Sequence, residues 1–227
     1  MPVPTPDTVR YVAKIDHVTE IMLSGDADLT YWQAQLRPAQ LKPSAVGDRA
    51  YVQIGATAAK WYGFNFCEFT VSIGVGEVDA NGLPREFYLA NAFNSSTAFA
   101  WVERTFYKTP YFSGQIDVQL TPARLAVTVD GTRAFEASQI NRVGTGRTSA
   151  EDWFGPIYLP DRTNVFYARL SGQTEAYAFS ANDVCSIKPA PAAPIFQALL
   201  DSQFVPHDWH VRSAAAHAKS QTYRRTL

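Results

Sequence analysis

The stretch FCEFTVSI, residues 66–73, places apolar side chains at every second position. Successive side chains of a β-strand point to opposite faces, so this stretch predicts a strand with one wholly apolar face. The two faces carry Cys67, Phe69, Val71 and Ile73 on one side, and Phe66, Glu68, Thr70 and Ser72 on the other. Residues 79–82 supply a turn, because Asn-Gly accepts a positive φ, and residues 86–93 return as a second strand.

Further strands are predicted on both sides of this hairpin. Their alternation and turn residues place them at 17–23, 50–57, 115–120, 124–129, 133–137, 165–170 and 174–179. The last two are expected to form a hairpin around residues 171–173, and residues 140–164 to form a loop. About nine strands without βαβ alternation predict a mostly β (α+β) protein, a β-barrel or sandwich with peripheral helices.

Helices are expected to be few. Asp26 is predicted to cap a helix that carries Leu29, Trp32 and Leu36 on one face and stops at Pro38. Residues 98–107 are compatible with a short helix or the start of a strand.

We expect a single domain over residues 1–227, with a flexible lead at 1–12 and a linker and C-terminal helical arm at 188–227. That arm could dock on its own domain or contact another subunit.

Composition excludes several classes of protein. The chain has 20 Lys and Arg against 21 Asp and Glu, which argues against a nucleic-acid partner. No apolar run approaches the ~20 residues of a membrane helix, and residues 1–10 have no signal-peptide core, so a cytoplasmic protein is expected.

Neither the cysteines nor the histidines form a recognisable site in the sequence. Cys67 and Cys185 lack CxxC spacing and are expected to be free thiols. His207 and His210 could share a metal on a helix, but a third ligand is not apparent, so neither metal nor cofactor is expected.

With GFNFCE at residues 63–68, Arg104 and Pro110 in this order, residues 60–114 resemble the acetoacetate decarboxylase superfamily. The segment GFNFCE, residues 63–68, is similar to the family's Gly-x-Tyr-x-Glu segment before a hairpin. Arg104 and Pro110 match the later Gly-Arg-Glu-aromatic-Gly-Phe-Pro-Lys-Lys run. The earlier LRPAQL, residues 36–41, followed by AYV at 50–52, is similar to the family's Leu-Pro…Gly-Leu segment and next strand. The similarity extends over about residues 18–131.

The resemblance implies an acetoacetate decarboxylase-like β-barrel that binds a small keto acid or related carbonyl compound. It carries over a catalytic position to Glu68, which could act as acid or base, and to Arg104, which could bind a substrate carboxylate. Tyr111 stands at a lysine position of the family, and its hydroxyl could donate a hydrogen bond to a carbonyl oxygen. The remaining substrate contacts would come from Trp61, Phe66, Trp101, Phe106 and Lys108.

The family's reactive lysine is not preserved in this sequence. Tyr111 and Phe112 stand where the family has two lysines, and Lys108 falls where it has glycine. The usual imine with a keto acid therefore lacks its amine, unless Lys108 or Lys60 replaces it.

Three functions remain open at this point. The first is a lyase or an aldolase/dehydratase-type enzyme that works by acid–base chemistry, the second is a small-molecule binding barrel without turnover, and the third is a barrel that serves assembly. Family members assemble, so a homo-oligomer is expected.

Overall fold

The structure is a computed structural model that describes residues 4–80, 82–140 and 146–225. These residues form strands and helices in the following order. The strands are β1 (Tyr11–Asp28), β2 (Ala45–Val46), β3 (Arg49–Trp61), β4 (Phe64–Val78), β5 (Pro84–Asn94), β6 (Ile116–Thr121), β7 (Arg124–Val129), β8 (Thr132–Ser138), β9 (Arg147–Tyr158), β10 (Asn164–Ala178), β11 (Val184–Ile187), β12 (Val205–Ser220) and β13 (Tyr223–Arg224). The helices are α1 (Leu29–Leu36), α2 (Thr97–Phe106) and α3 (Ile195–Asp201).

Seven long strands form a sheet that closes on itself. Their order is β1-β12-β10-β9-β5-β4-β3, and β3 pairs back onto β1. Neighbouring strands of this ring are antiparallel, except for the parallel pair β5 and β9. The ring therefore has an inner and an outer face.

The alternation predicted for residues 66–73 is confirmed and decides which side chains enter the ring. Phe69, Val71 and Ile73 are fully buried on the outer face of β4. Glu68 and Thr70 point into the ring from the same strand. The apolar side chains of β4 pack on the outside of the ring, and the polar side chains of the same strand face its interior.

The hydrophobic core lies between the ring and a second sheet of order β11-β8-β7-β6. Phe135 of β8 packs on Phe69 of the ring, with ring centroids 5.4 Å apart. Phe196 of α3 stacks on Phe93 of β5 at 5.5 Å. The 124–137 hairpin is confirmed as β7 and β8, and the helices lie at the periphery of a mostly β fold, as expected.

The first helix begins two residues later than predicted. Strand β1 runs on to Asp28, whose carboxylate accepts a hydrogen bond from the Tyr31 amide at 2.6 Å and caps α1. Asp26 is still within β1, so its predicted capping role is wrong. Trp32 and Leu36 are buried as the spacing predicted. Across the described residues, no helix combines the length and apolar character required to cross a membrane.

The loop predicted for residues 140–164 is wrong at residues 147–158 and holds for residues 159–163, which lie between strands. Residues 165–170 and 174–178 are strand as predicted, but the hairpin turn predicted between them is wrong. Residues 147–158 form β9, and β10 runs without a turn through residues 171–173, where Gly172 pairs with Glu151. Residues 141–145 of the predicted loop lie outside the described residues, as do Asn81 of the predicted turn and residues 1–3 of the lead.

The predicted C-terminal helical arm is also wrong. Residues 205–220 form β12, which pairs with β1 on one side and β10 on the other. β12 passes close to β10 at Ala215, since a Cβ added to Gly172 would lie 3.2 Å from the Ala215 Cα. Two-sided pairing overrides the helix propensity of alanine. Within the predicted arm, residues Ile195–Asp201 do form a helix, α3, with Pro194 at its N-cap.

Candidate active site

The ring encloses a cavity of about 1040 Å³. It is lined by the inward-facing residues of the seven strands and by one side of α2. Cavities of roughly 300–1,000 Å³ are typical of small-molecule sites. An interior of this size does not fit a solid barrel that serves assembly alone.

A belt of polar side chains crosses five consecutive strands inside this cavity. Glu20 of β1 lies opposite Arg212 of β12 on one side and Thr57 of β3 on the other. Thr57 pairs in turn with Glu68, and Glu68 with Asn94 of β5. Directly paired residues share one face of a sheet, so all five side chains of this polar belt point inward.

Glu68 is the carboxylate at the centre of the candidate site. Its Oε2 accepts hydrogen bonds from the Tyr111 hydroxyl and, at 3.4 Å, from Asn94 Nδ2. Burial raises the pKa of Glu68 above its ordinary value of 4.5, and this outweighs the opposing effect of the Tyr111 hydrogen bond. Glu68 is therefore placed to exchange a proton closer to neutral pH than an ordinary glutamate.

Tyr111 reaches the cavity from the segment that follows α2. The Ala92 amide donates to the Pro110 carbonyl at 3.1 Å, and the Phe112 amide donates to the Ala92 carbonyl at 2.7 Å, which fixes this segment along β5. Burial, followed by the charge of Glu68, raises the pKa of Tyr111 well above 10.0. Tyr111 therefore stays a hydrogen-bond donor at any physiological pH.

Arg104 lies behind Tyr111 and is not among the residues that line the cavity. Its Nη1 donates to the carbonyl oxygens of Phe112 at 3.0 Å and Tyr111 at 3.4 Å. In this structure the guanidinium braces the segment that carries the phenol, instead of facing a ligand.

Lys219 of β12 is a cavity residue that the sequence analysis missed. Its Nζ forms an ion pair with Glu103 and lies 4.8 Å from the ring centroids of both Tyr107 and Phe166. The Thr109 hydroxyl donates to the same Glu103 oxygen at 2.7 Å. The sequence analysis does not identify Lys219 because it places this residue in the predicted C-terminal helical arm.

A second charged cluster adjoins Glu68. Arg212 is 1% exposed and binds Glu20 at 2.7 Å, and it also bonds Glu151 and the Thr174 hydroxyl. His217 Nε2 lies 3.4 Å from the same Glu20 oxygen. These contacts join β12 to three other strands. No local sequence signal could have revealed them, because Arg212 and Glu20 alone lie 192 residues apart.

Helix α2 contributes one aromatic wall of the cavity. Its residue Phe99 contacts Trp61 and Phe66 edge-on, with ring centroids 5.6 and 5.2 Å apart, and all three line the cavity. Trp61 and Phe66 are thus where the sequence predicted them. Trp101 and Phe106 of the same helix point to solvent and contact each other instead.

The two lysines considered as replacement amines lie outside the cavity. Lys108 is exposed, and its Nζ donates to the Thr105 carbonyl at 2.9 Å. Lys60 is exposed near the tip of the β3–β4 hairpin. The structure therefore brings together Glu68, Tyr111, Trp61 and Phe66, but not Arg104, Trp101, Phe106 or Lys108.

The remaining candidate groups do not form a site. Residues 205–220 are a strand, so His207 and His210 point to opposite faces, and His207 pairs with Asp26 at 2.8 Å. Within the described ranges, no group of three His, Cys, Asp or Glu side chains could hold a metal. Cys67 and Cys185 are free, and burial raises the pKa of Cys185 to about 11.

Neither a protein-family model nor a curated protein matches this sequence. Several solved structures share its fold. The enduracididine biosynthesis enzyme MppR, complexed with the condensation product of pyruvate and imidazole 4-carboxaldehyde, aligns with a TM-score of 0.61 and 13% identity over 93% of this chain and 88% of that chain. An acetoacetate decarboxylase gives 0.61 and 15% over 99% and 95%. Acetoacetate decarboxylase from Legionella pneumophila gives 0.58 and 12% over 100% and 92%.

Proposed function

We propose, from the acetoacetate decarboxylase-like fold of this chain, that the ring cavity binds a keto acid or related carbonyl compound and that Glu68 and Tyr111 perform acid–base chemistry on it. The observation that carries the proposal is the hydrogen bond from the Tyr111 hydroxyl to the Glu68 carboxylate inside the cavity. MppR, which shares the fold, forms a complex with a pyruvate-derived condensation product, and this supports a carbonyl ligand for the present chain.

Glu68 and Tyr111 have different roles in the proposed reaction. Glu68 takes a proton from the carbon next to the carbonyl, and the electron pair left behind moves onto the carbonyl oxygen. Tyr111 turns its hydroxyl from Glu68 to that oxygen and stabilises the enolate by a hydrogen bond. In an aldol-type reaction the enolate carbon then bonds to the carbonyl carbon of a second compound, and the oxygen of that carbonyl takes the proton from Glu68. In a dehydratase-type reaction the enolate instead expels a hydroxyl group from the β-carbon, which leaves as water with the proton from Glu68.

An imine is not part of this proposal. Tyr111 and Phe112 occupy the positions of the family's lysines, and the amine inside the cavity, Lys219, is ion-paired with Glu103. An ammonium group cannot attack a carbonyl until it loses its proton. Lys219 is therefore assigned to the wall of the site instead of to the reaction.

A binding protein without turnover is the second candidate. It is favoured by the pairing inside the cavity, where Lys219, Arg212 and His217 are each bound to a glutamate. Such a cavity could hold a ligand without presenting an unpaired reactive cation to it.

The two candidates separate in a turnover assay with a panel of α- and β-keto acids and simple ketones. Removal of a general acid or base lowers rates by roughly 10²–10⁴-fold. We expect that loss in Glu68→Gln and a smaller one in Tyr111→Phe. Glu77→Gln, on the exposed end of the same strand, is the matched control and should keep full activity.

Borohydride added during turnover tests the imine. The proposal predicts no trapped adduct. An adduct that disappears in Lys219→Met would replace acid–base catalysis by an imine on β12. Binding of panel members with no turnover by the wild type would favour the binding protein.

We also propose a homo-oligomer, as expected for proteins of this fold. The exposed pair Trp101 and Phe106 offers an apolar surface, 54% and 63% accessible. Light scattering of the purified protein tests this, and a monomer at all concentrations would contradict it.

A further inference from the structure

The charge inside the cavity bears on what kind of carbonyl compound it accepts. Among the described lining residues, seven are Asp or Glu and four are Lys or Arg, with His210 and His217 in addition. Asp152 is paired with Arg169, which is not a lining residue, so the remaining lining carboxylates and cations balance when both histidines carry a proton. An anionic ligand entering this interior would lose hydration without meeting an excess of positive charge.

The cations close to Glu68 are already neutralised. Lys219 is bound by Glu103, Arg212 by Glu20 and Glu151, and His217 by Glu20. The other two lining cations, Arg85 and Arg147, are exposed. A ligand carboxylate beside Glu68 would have to break an existing buried ion pair to gain a partner.

The walls near Glu68 are aromatic. Trp61, Phe66 and Phe99 form one continuous edge-to-face cluster, and Phe166 and Tyr107 flank Lys219. Together with a volume of about 1040 Å³, at the upper end of small-molecule sites, these walls suit a ligand much larger than a short-chain keto acid.

We propose that the ligand of this cavity is a bulky, uncharged carbonyl compound with an aromatic ring, whose carbonyl oxygen lies at Tyr111 and whose ring packs among Trp61, Phe66 and Phe99. This inference rests on the function proposed above and narrows its substrate class from keto acids to neutral ketones or aldehydes. The orientation follows from the position of the Glu68–Tyr111 pair beside the aromatic cluster, since Phe66 and Glu68 line the cavity from the same strand.

Three related compounds test charge and size separately by titration calorimetry with the full chain. Benzylacetone is neutral and aromatic, benzylpyruvate is the same skeleton with a carboxylate in place of the methyl group, and butanone is neutral and small. We expect benzylacetone to bind at least tenfold more tightly than either of the others.

Cavity-filling variants locate the binding. Ala59→Trp and Ser72→Trp place an indole inside the ring and should abolish benzylacetone binding, whereas Gln119→Trp, on the exposed face of β6, should retain it. Thermal melting checks that each variant folds. If a filled variant unfolds, the other carries the comparison, and the ranking on the wild type stands independently of both.

Each outcome bears on the inference. Equal or tighter binding of benzylpyruvate overturns the neutral ligand but leaves the carbonyl site of the proposed function in place. Equal binding of butanone overturns the requirement for bulk. Unchanged binding in both folded cavity-filling variants overturns the location. Failure of all three compounds to bind overturns the inference, and the proposed function fails with it only if the keto-acid panel also shows neither binding nor turnover.

Discussion

The pKa of His217 depends on the neighbours of this side chain inside the ring. Burial alone would lower the pKa of His217, but Glu20, 3.4 Å from Nε2, outweighs burial and raises the pKa above 6.5. Glu68 acts in the same direction and Arg212 opposes it. The folded protein therefore binds this proton more tightly than the unfolded chain does.

This gives a pH dependence with a definite sign. The stabilisation by His217 is fully present below 6.5, the ordinary pKa, and is lost as the pH rises through the folded-state pKa. We expect His217→Asn to lower the free energy of unfolding by about 1–3 kcal/mol on the acid side, the cost of removing one partner from a buried polar group such as Glu20.

Urea denaturation of wild type and variant across this pH range is the measurement. The difference between the two should shrink towards alkaline pH. His17→Asn, at an exposed position on β1, is the control and should show no such trend. A difference that stays constant with pH would contradict the ion pair.

Individual site residues could be predicted where they belong to a strong local sequence pattern. Glu68 could be predicted because its strand alternates so clearly, and Tyr111 because it stands at a recognisable motif position. Glu20, Glu103, His217 and Lys219 could not, since each acquires its place in the cavity from a strand partner far away in the sequence.

The ring depends most on strand β12, and β12 is also the strand that is hardest to recognise in the sequence. Its alanine-rich, basic sequence is typical of a helix, yet β1 and β10 pair with it on both sides. Intrinsic propensity is a weak guide where a segment fills the last position of a sheet. By contrast β4 and the β7–β8 hairpin were predictable, because their patterns and turn residues are local.

A proline at Ala218, near the C-terminal end of β12, distinguishes a central strand from a terminal helix that only docks. Ala218 pairs with Lys14 on β1 and Arg169 on β10. Ala218→Pro removes an amide from this ladder and leaves a carbonyl without its donor. We expect the free energy of unfolding to fall by at least about 2 kcal/mol, measured by chemical denaturation.

Ala181→Pro provides the control for that experiment. Ala181 is exposed at the second position of a turn closed by the hydrogen bond from the Asp183 amide to the Ser180 carbonyl, 3.0 Å. Proline is favoured at this position of such turns, so the variant should unfold like the wild type. Equal stability of Ala218→Pro and Ala181→Pro would mean that β12 is not paired on both sides.

The two sheets are expected to unfold as one unit, because their shared core contains fully buried aromatic side chains from both. Phe135 of the second sheet is completely buried against Phe69 of the ring. We expect Phe135→Ala to cost about 3–5 kcal/mol, through lost burial and the cavity it leaves.

Phe64→Ala is the matched control because Phe64 is 68% exposed, and its effect should stay within about 0.5 kcal/mol. Calorimetry should show one transition for both variants and the wild type. Two separable transitions, with only one displaced in Phe135→Ala, would contradict a single domain.

Pairing of β1 with both β3 and β12 also sets an order of events during protein synthesis. Strands β3, β4 and β5 can assemble as a meander as soon as they leave the ribosome, but nothing covers the free side of β1 until residues 205–220 have been made. Contacts this distant in sequence are slow to form. A nascent chain halted before Val205 should therefore expose its half-built interior to chaperones and proteases.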